Sequence, residues 1–396
     1  MMKIVTAIDS FKGSMTSVEA GNAAAAGFKR ACPTVSVEVR PLADGGEGTV
    51  EALIEGMGAK REVVTVTGPL GQPVDCPYGI CEERKTQKED GDESIQKTAV
   101  IEMSGAAGIT LVSRDALNPM KATTYGVGEV IQDAIQKGCR RFIIGIGGSA
   151  TNDGGIGMLQ ALGYDFLDAD GHQISYGARG LRQLYQIDGQ NALPELSECE
   201  FMVACDVTNP LLGKNGCSAV FGPQKGATPE MVEEMDHLLE TYAEKAREHF
   251  QGNHEVDPNY PGSGAAGGMG FAFRTFLHAS LKPGIDIILE ETRLEEYVKD
   301  ADLVVTGEGM LDAQTAMGKA PVGVAKLAKK YGKPVIAFAG GVTKDAKACN
   351  DEGIDAFFPI VRGVTTLEEA MNPENAKKNL ADTAEQVLRA MMLWVE

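Results

Sequence analysis

Cationic charge is scarce in this chain. Over 396 residues, 37 lysines and arginines stand against 56 aspartates and glutamates, a formal net charge of −19. A surface of that sign disfavours nucleic acid and anionic membrane as partners. It leaves room for a small anionic substrate, which a few local lysines or helix N-termini can hold against the global field. Paired cysteines are missing as well. The eight thiols, at 32, 76, 81, 139, 199, 205, 217 and 349, include no Cys-x-x-Cys pair, and several lie in apolar strand-like runs. That pattern indicates neither a disulfide framework nor a thiolate metal site, and it reads as reduced, buried thiols. The five histidines (172, 237, 249, 254 and 278) show no metal-ligand spacing and are given no catalytic role. No apolar run reaches the length of a membrane span. The opening Met1–Asp9 stretch reads as a first strand, too short and too soon acidic for a secretory leader. The expectation is a cytoplasmic protein whose oligomeric state is open, a homo-oligomer being compatible with it.

Glycine, by contrast, is abundant: 48 residues, about 12% where ~7% is usual. The excess gathers in clusters between apolar runs, many carrying Asp, Ser or Asn, which favours ligand-facing loops over plain turns. The length implies two domains. Early on, the chain alternates strand (Lys3–Ile8), helix (Thr16–Lys29, capped by Thr16 or Ser17 beside Glu19), strand (Val35–Pro41) and helix (Gly48–Met57). Residues 61–104 alternate by twos around Gly68-Pro69 and Gly71-Gln72-Pro73, which predicts antiparallel hairpins, with Lys85–Glu93 as an exposed loop. Helices are expected over Thr124–Lys137 and Thr228–Phe250, and one opens at Gly262–Gly270 and runs to about Ser280. Strands are expected at Arg141–Ile146 and Phe201–Cys205. From Asp302 the alternation resumes, with strands at Leu303–Thr306, Pro334–Ala339 and Ala356–Ile360 and helices at Gly318–Tyr331 and Leu367–Leu393. Similar ends around a different middle give an α/β protein of two domains: a discontinuous, Rossmann-like doubly wound domain (1–68 and 283–396) and an inserted mixed-sheet α/β domain (69–282), with the active site in the cleft between them.

The densest cluster is Gly145-Ile146-Gly147-Gly148-Ser149-Ala150-Thr151-Asn152-Asp153-Gly154-Gly155. It follows the apolar Phe142-Ile143-Ile144 and precedes a helix expected over Gly157–Leu162. A strand breaking into glycines before a helix is a place to hold an anion, because glycine admits close approach and the helix presents free N–H groups. No lysine follows the glycines, so the Walker A pattern is absent. Other strands also end in carboxylates or paired glycines. Asp9 follows the first and Asp44-Gly45-Gly46-Glu47-Gly48 the second. Asp206 follows Val203-Ala204-Cys205; Gly307-Glu308-Gly309, with Asp312 behind it, follows Leu303–Thr306; Gly340-Gly341 follows Phe338-Ala339. Ligands of parallel sheets bind outside the carboxyl ends of strands, and clustered carboxylates there suit Mg²⁺ with substrate phosphates. Any single Asp after a strand is as readily a helix cap, but Glu308 between two glycines is a poor one. Lys12 and Lys319 sit at strand-to-helix connections and are the better cation candidates. Lys214 and Lys225, in glycine-containing loops after Asp206, read as solvated surface. Arg179, between glycines, is a weaker candidate for gripping a carboxylate.

Six segments together resemble the bacterial class I glycerate kinases: Asp9–Ser14, Ala43–Thr49, Gly145–Gly155, Cys205–Leu211, Pro261–Gly268 and Val305–Asp312. They run in order over nearly the whole chain. The resemblance implies ATP- and Mg²⁺-dependent phosphorylation of D-glycerate, at the 2-hydroxyl, and two α/β domains around a cleft. Phosphoryl transfer needs positioning, charge neutralisation and an acceptor for the hydroxyl proton. On that basis Asp44 or Asp206 is expected as base, Lys12 and Lys319 as neutralising cations, and Glu308 and Asp312 as Mg²⁺ ligands. Ser10, Gly147, Gly148, Ser149, Asn152, Asp153 and Arg179 are expected to bind substrate or phosphate. The glycine turn's missing lysine is expected to be replaced by Lys12 and Lys319. Transfer to the 3-hydroxyl is the alternative regiochemistry, and a nicotinamide-dependent hydroxy-acid dehydrogenase or a non-catalytic sugar-acid sensor are the alternative classes.

Overall fold

A computed structural model describes residues 1–43, 49–86, 93–251 and 256–393. In chain order its strands are β1 (Lys3–Ile8), β2 (Ser36–Pro41), β3 (Lys60–Thr67), β4 (Pro73–Thr86), β5 (Glu93–Glu102), β6 (Arg141–Gly145), β7 (Asp165–Leu167), β8 (Gln186–Asp188), β9 (Glu200–Ala204), β10 (Ser280–Lys282), β11 (Leu303–Leu311), β12 (Val335–Val342) and β13 (Ala356–Pro359). Two compact units emerge, one drawn from Met1–Asp44, Glu51–Gly58 and Ile285–Glu396, the other from Gly45–Val50 and Ala59–Gly284.

The first unit is built on a parallel sheet ordered β13-β12-β11-β1-β2. Counted along this unit alone, that is 2-1-3-4-5, the flavodoxin-like form of a doubly wound sheet rather than the 3-2-1-4-5-6 Rossmann order. Only β2 lies beyond β1, because the chain leaves for the other unit after it and returns on β1's opposite side. Helix Ser17–Ala31 starts as its sequence suggests. Thr16 accepts the Glu19 N–H and Glu19 accepts the Thr16 N–H, a reciprocal cap. This helix and Pro373–Met392 share a core with β1, β11 and β12 through Ile4, Phe28, Leu303, Phe338 and Leu380.

Two expectations are corrected in this unit. Gly307-Glu308-Gly309 does not follow a strand; it lies inside β11, in register with Phe338 and Ala339 of β12. The strand survives its glycines because β12 also runs on through Gly340-Gly341 and keeps the ladder paired. A Cβ at Gly307 would lie 2.1 Å from the Phe338 carbonyl oxygen, so the close strand approach itself requires glycine. The C-terminal helix is two helices, Leu367–Met371 and Pro373–Met392. Proline cannot continue the first, and Asn372 before it caps the second by accepting the N–H groups of Glu374 and Asn375.

The second unit has a mixed sheet ordered β10-β9-β6-β5-β4-β3, parallel from β10 to β5 and antiparallel from β5 to β3, with β7 and β8 as a separate hairpin. The unit therefore begins at β3, not at residue 69. The full ladder from Lys60↔Ile80 to Thr67↔Pro73 ties β3 to β4 and moves the boundary to 58/59, and the far boundary falls at 284/285 rather than 282/283. Helix Tyr125–Gln136 buries Val127, Val130, Ile131, Ala134 and Ile135, the one-faced spacing of an amphipathic helix. Helix Pro229–His249 does the same with Met235, Leu238, Leu239, Tyr242, Ala243 and Ala246. The proposed loop at 85–93 falls mostly outside the described residues. Among those described, no helix is long and apolar enough to cross a membrane.

Candidate functional sites

In the parallel-sheet unit a cavity of about 510 Å³ opens at the carboxyl ends of β1, β11 and β12. This is where the strand order reverses, the usual ligand position in doubly wound sheets. The loop after β1 is held short by a Phe11–Met15 bridge. Asp9 is buried, donates its own N–H to the Gly307 carbonyl and accepts the Ser10 N–H at 2.6 Å. Lys12 is exposed on this loop, and Lys319 is half-buried where helix Ala320–Lys330 starts; both line the cavity. Glu308, 9% exposed, accepts the Thr315 hydroxyl at 2.5 Å. Asp312 caps the short helix Ala313–Ala316 through the N–H groups of Gln314 and Thr315. Burial, with Glu308 and Asp312 close by, pushes the Cys349 thiol up to about 11, so negative charge is concentrated here. The remaining wall is apolar, made by Phe11, Met310, Ile360, Val361, Leu367 and Met371.

In the inserted unit a separate cavity of about 400 Å³ is lined by Gly147, Gly148, Ser149, Asp206, Lys225 and Ala266, among others. The chain leaves β6 and turns at Gly148, whose φ of +73° is natural only for glycine. The N–H groups of Gly147, Gly148 and Ser149 make no hydrogen bond to another described residue. Asp206 follows β9, is exposed, and accepts the Gly284 N–H at 2.9 Å. Lys225 is 1% exposed, and its ammonium donates to Ser149 Oγ (2.7 Å) and to the Thr151 carbonyl (2.6 Å). Burial brings this lysine down to about 8, against the opposing pull of Cys217 and Asp153. Ala266 adopts φ +50°, a strained conformation for a residue with a Cβ, at the cavity wall.

The expected site residues divide accordingly. Ser10, Lys12, Glu308, Asp312 and Lys319 meet in the first cavity. Gly147, Gly148, Ser149 and Asp206 meet in the second. Asp44 lies outside the described residues. Asn152 and Asp153 turn inward and line neither cavity. Asn152 donates to Ser218 Oγ. Asp153, fully buried, accepts the Thr124 N–H and hydroxyl and the N–H groups of Gly155 and Gly157, tying two helix starts together while burial pushes its carboxyl up. Arg179 is exposed and lines neither cavity; its Nε reaches only the Tyr176 carbonyl, at 3.4 Å. The rear half of the long glycine motif is thus packing. Gly154 donates to the Gly267 carbonyl, and a Cβ at Gly267 would lie 2.1 Å from the Thr151 oxygen, so two glycine-rich segments interlock.

Lys225 is the residue that sequence reasoning passed over as surface. Its one local signal is the Pro223-Gln224-Lys225-Gly226 turn, which fixes the backbone there. One group of metal-ligating types, Asp168, Asp170 and His172, comes together on an exposed turn. Asp168 accepts the N–H groups of Asp170 and His172, which accounts for the grouping as turn chemistry.

The sequence profile described as the Glycerate kinase family matches residues 4–392. The chain belongs to the glycerate kinase family. It is 46% identical over 390 residues to the glycerate kinase of Haemophilus influenzae, covering 98% of this chain and 99% of that one. It is 46% identical over 387 residues to the glycerate 2-kinase of Escherichia coli K12, covering 96% and 98%. A crystal structure from Salmonella typhimurium LT2, described as that of a glycerate kinase 2, matches with a TM-score of 0.87 at 45% identity, covering 99% of this chain and 98% of that one. The protein is therefore an enzyme with kinase activity, and both α/β units are those of its family.

Proposed function

We propose that this kinase transfers the γ-phosphoryl group of ATP to the 2-hydroxyl of D-glycerate, giving 2-phosphoglycerate and ADP in the cytoplasm. The full-length likeness to a relative named glycerate 2-kinase carries this reading. The two cavities support a division of ligands. The cavity of the parallel-sheet unit joins an apolar wall to two lysines and two carboxylates, which suits a base and its phosphates. The cavity of the inserted unit suits a small hydroxy acid: Gly147, Gly148 and Ser149 offer backbone and hydroxyl donors to its carboxylate.

Glu308 and Asp312 present only oxygen donors, a set that fits Mg²⁺, and they would hold it. When bound, Mg²⁺ supplies neutralisation of the phosphate oxygens. Lys12 and Lys319 pair with the phosphoryl oxygens as charge shifts between them. Asp206, kept in place by the Gly284 N–H, orients the 2-hydroxyl and accepts its proton. Asp44 remains a second candidate for that base. Turnover requires the two ligands to meet, so the reading needs the units to bring them together. A coupled ADP-release assay with D-glycerate, with and without Mg²⁺, tests the reaction, and phosphorus NMR of the product tests the position. Phosphate on the 3-oxygen would correct the regiochemistry. No ADP with glycerate or related hydroxy acids would end the kinase reading for this substrate.

A further inference from the structure

The inserted unit's cavity contains a positive charge that none of the six sequence segments includes. Lys225 comes from a turn 76 residues downstream of Ser149 and is almost fully buried. Burying an ammonium is costly unless it is paired, and a lysine with no task at such a position is more cheaply replaced by an apolar side chain. Its protein partners here are neutral: one hydroxyl and one carbonyl oxygen. An ammonium has three donors, so one remains. Because Ser149 Oγ accepts from Lys225, its own proton is released to donate elsewhere. Beside it the N–H groups of Gly147, Gly148 and Ser149 have no acceptor among the described residues, and all three residues line the cavity together with Lys225. Several donors and a cation converge; neither acceptor of the ammonium carries a charge, and the Asp206 carboxylate stands in the wall of the same cavity.

We propose that Lys225 is the carboxylate-recognition residue of this kinase: with Ser149 and the Gly147–Ser149 backbone it forms a fixed anion seat that selects a 2-hydroxy acid over the corresponding neutral polyol or amide. The assignment rests on the kinase reading above and adds to it which residue reads the acid. It supplies the glycine turn with a cation from within the inserted unit, whereas Lys12 and Lys319 line the other cavity. The seat discriminates because a carboxylate offers charged acceptors to the ammonium and to the N–H groups beside it, which an uncharged analogue does not.

The test compares full-length wild type with Lys225→Met and Ser149→Ala, using D-glycerate and the neutral glyceramide as acceptors. Lys225→Met should lower kcat/KM for D-glycerate on the order of 100-fold. Its KM for ATP should stay within about twofold of wild type, and its preference for D-glycerate over glyceramide should collapse. Ser149→Ala, which keeps the lysine, should lose about tenfold with the same acceptor selectivity. Equal losses with both acceptors would mean a structural role and overturn the assignment. A rise in the KM for ATP alone would mean the seat holds phosphate, and overturns it too. Calorimetric titration of D-glycerate separates this from failure of the kinase reading. Wild type that binds D-glycerate without phosphorylating it, with binding lost in Lys225→Met, would end that reading and leave the seat. Unchanged binding in Lys225→Met would end the seat and leave the reading.

Discussion

The two cavities place their positive charge in opposite ways. In the parallel-sheet unit, Lys12 and Lys319 stand on connections at the cavity rim, exposed and half-buried. In the inserted unit, Lys225 is sealed in and tied by two hydrogen bonds. A rim lysine keeps part of its hydration, and its field is screened by water. A sealed lysine cannot move, and its field is screened little. On the proposed function, the first arrangement would serve transfer and the second recognition. If that division holds, losses in the first cavity fall on kcat. Glu308→Gln should reduce kcat by about 10²–10³-fold while the KM for the hydroxy acid changes little. Steady-state kinetics over both substrates checks this, and a loss confined to the acid's KM would merge the two cavities' roles. Asp206→Asn sharpens the boundary, because Asp206 lines the recognition cavity yet is assigned to proton transfer. Asparagine keeps the oxygen that accepts the Gly284 N–H, so the fold should hold while kcat falls about 10²-fold. Near-normal single-turnover rates would move the base elsewhere.

The same contrast explains what the sequence could reveal. The parallel-sheet cavity is made by residues adjacent in chain to strand ends, so strand, then polar loop, then helix locates Ser10, Lys12, Asp312 and Lys319 directly. Glu308 reaches this cavity by another route than the sequence suggests: it lies within β11 and not beyond a strand end, because β12 extends with it. In the inserted unit the legible part stops at Ser149. Asn152, Asp153 and the following glycines look like ligand chemistry and are instead the fitting of one backbone against another. Side-chain type cannot distinguish an Asp that accepts from two helix starts from one that meets a ligand. Lys225 is the converse: only tertiary packing makes a lysine in an ordinary turn the neighbour of Ser149. The antiparallel hairpins and mixed sheet were readable from period-two alternation and turn residues, whereas the boundary at 58/59 depended on which sheet β3 would join.

The interlock behind the inserted cavity offers a stability test. Gly267 has φ +67° and no room for a Cβ, since the Thr151 oxygen lies 2.1 Å from where it would be. That same oxygen accepts from Lys225. Gly267→Ala should destabilise the protein by about 2 kcal/mol or more in denaturant unfolding, through clash and backbone strain together. It should also raise the KM for the acid, by shifting the carbonyl that anchors the lysine. No effect on KM would uncouple the glycine packing from the seat.

Smaller, but with a distinctive sign, is the dependence on pH. Lys225 is lowered to about 8 in the folded chain from an ordinary 10.5. Between those values the unfolded chain binds the extra proton, so this group makes stability rise with pH across that window. Acid binding needs the ammonium, so affinity for D-glycerate should instead fall, roughly tenfold per unit above pH 8. Of the titratable groups around it, burial pushes the Cys217 thiol up to about 11, above the window, and pushes the Asp153 carboxyl upward; the Asp206 carboxylate lines the same cavity. Titration calorimetry and urea unfolding from pH 7 to 9.5 should give the two opposite slopes, and Lys225→Met should flatten both. Parallel slopes would show that the lysine is not what the acid meets.

The smallest effect concerns whether packing alone holds the interlock. Tyr242 is fully buried against Phe166, Phe271 and Phe276, and its ring lies where a Cβ on Gly154 would come within 2.8 Å. Its hydroxyl has no partner among the described residues, and burial raises its pKa well above the ordinary tyrosine value. Tyr78, equally buried, bonds both Asp133 and Lys137 through its hydroxyl. Removing each oxygen should therefore act with opposite sign. Tyr78→Phe breaks two charge-assisted bonds and should destabilise by about 1–2 kcal/mol. Tyr242→Phe keeps the ring, relieves an unpaired buried hydroxyl and should be neutral or stabilising by up to about 1 kcal/mol, with kinetics unchanged. Paired urea titrations of the two variants read this directly. A loss in Tyr242→Phe matching that of Tyr78→Phe would mean that hydrogen bonding, and not ring packing against Gly154, keeps the glycine segments behind Ser149 in place.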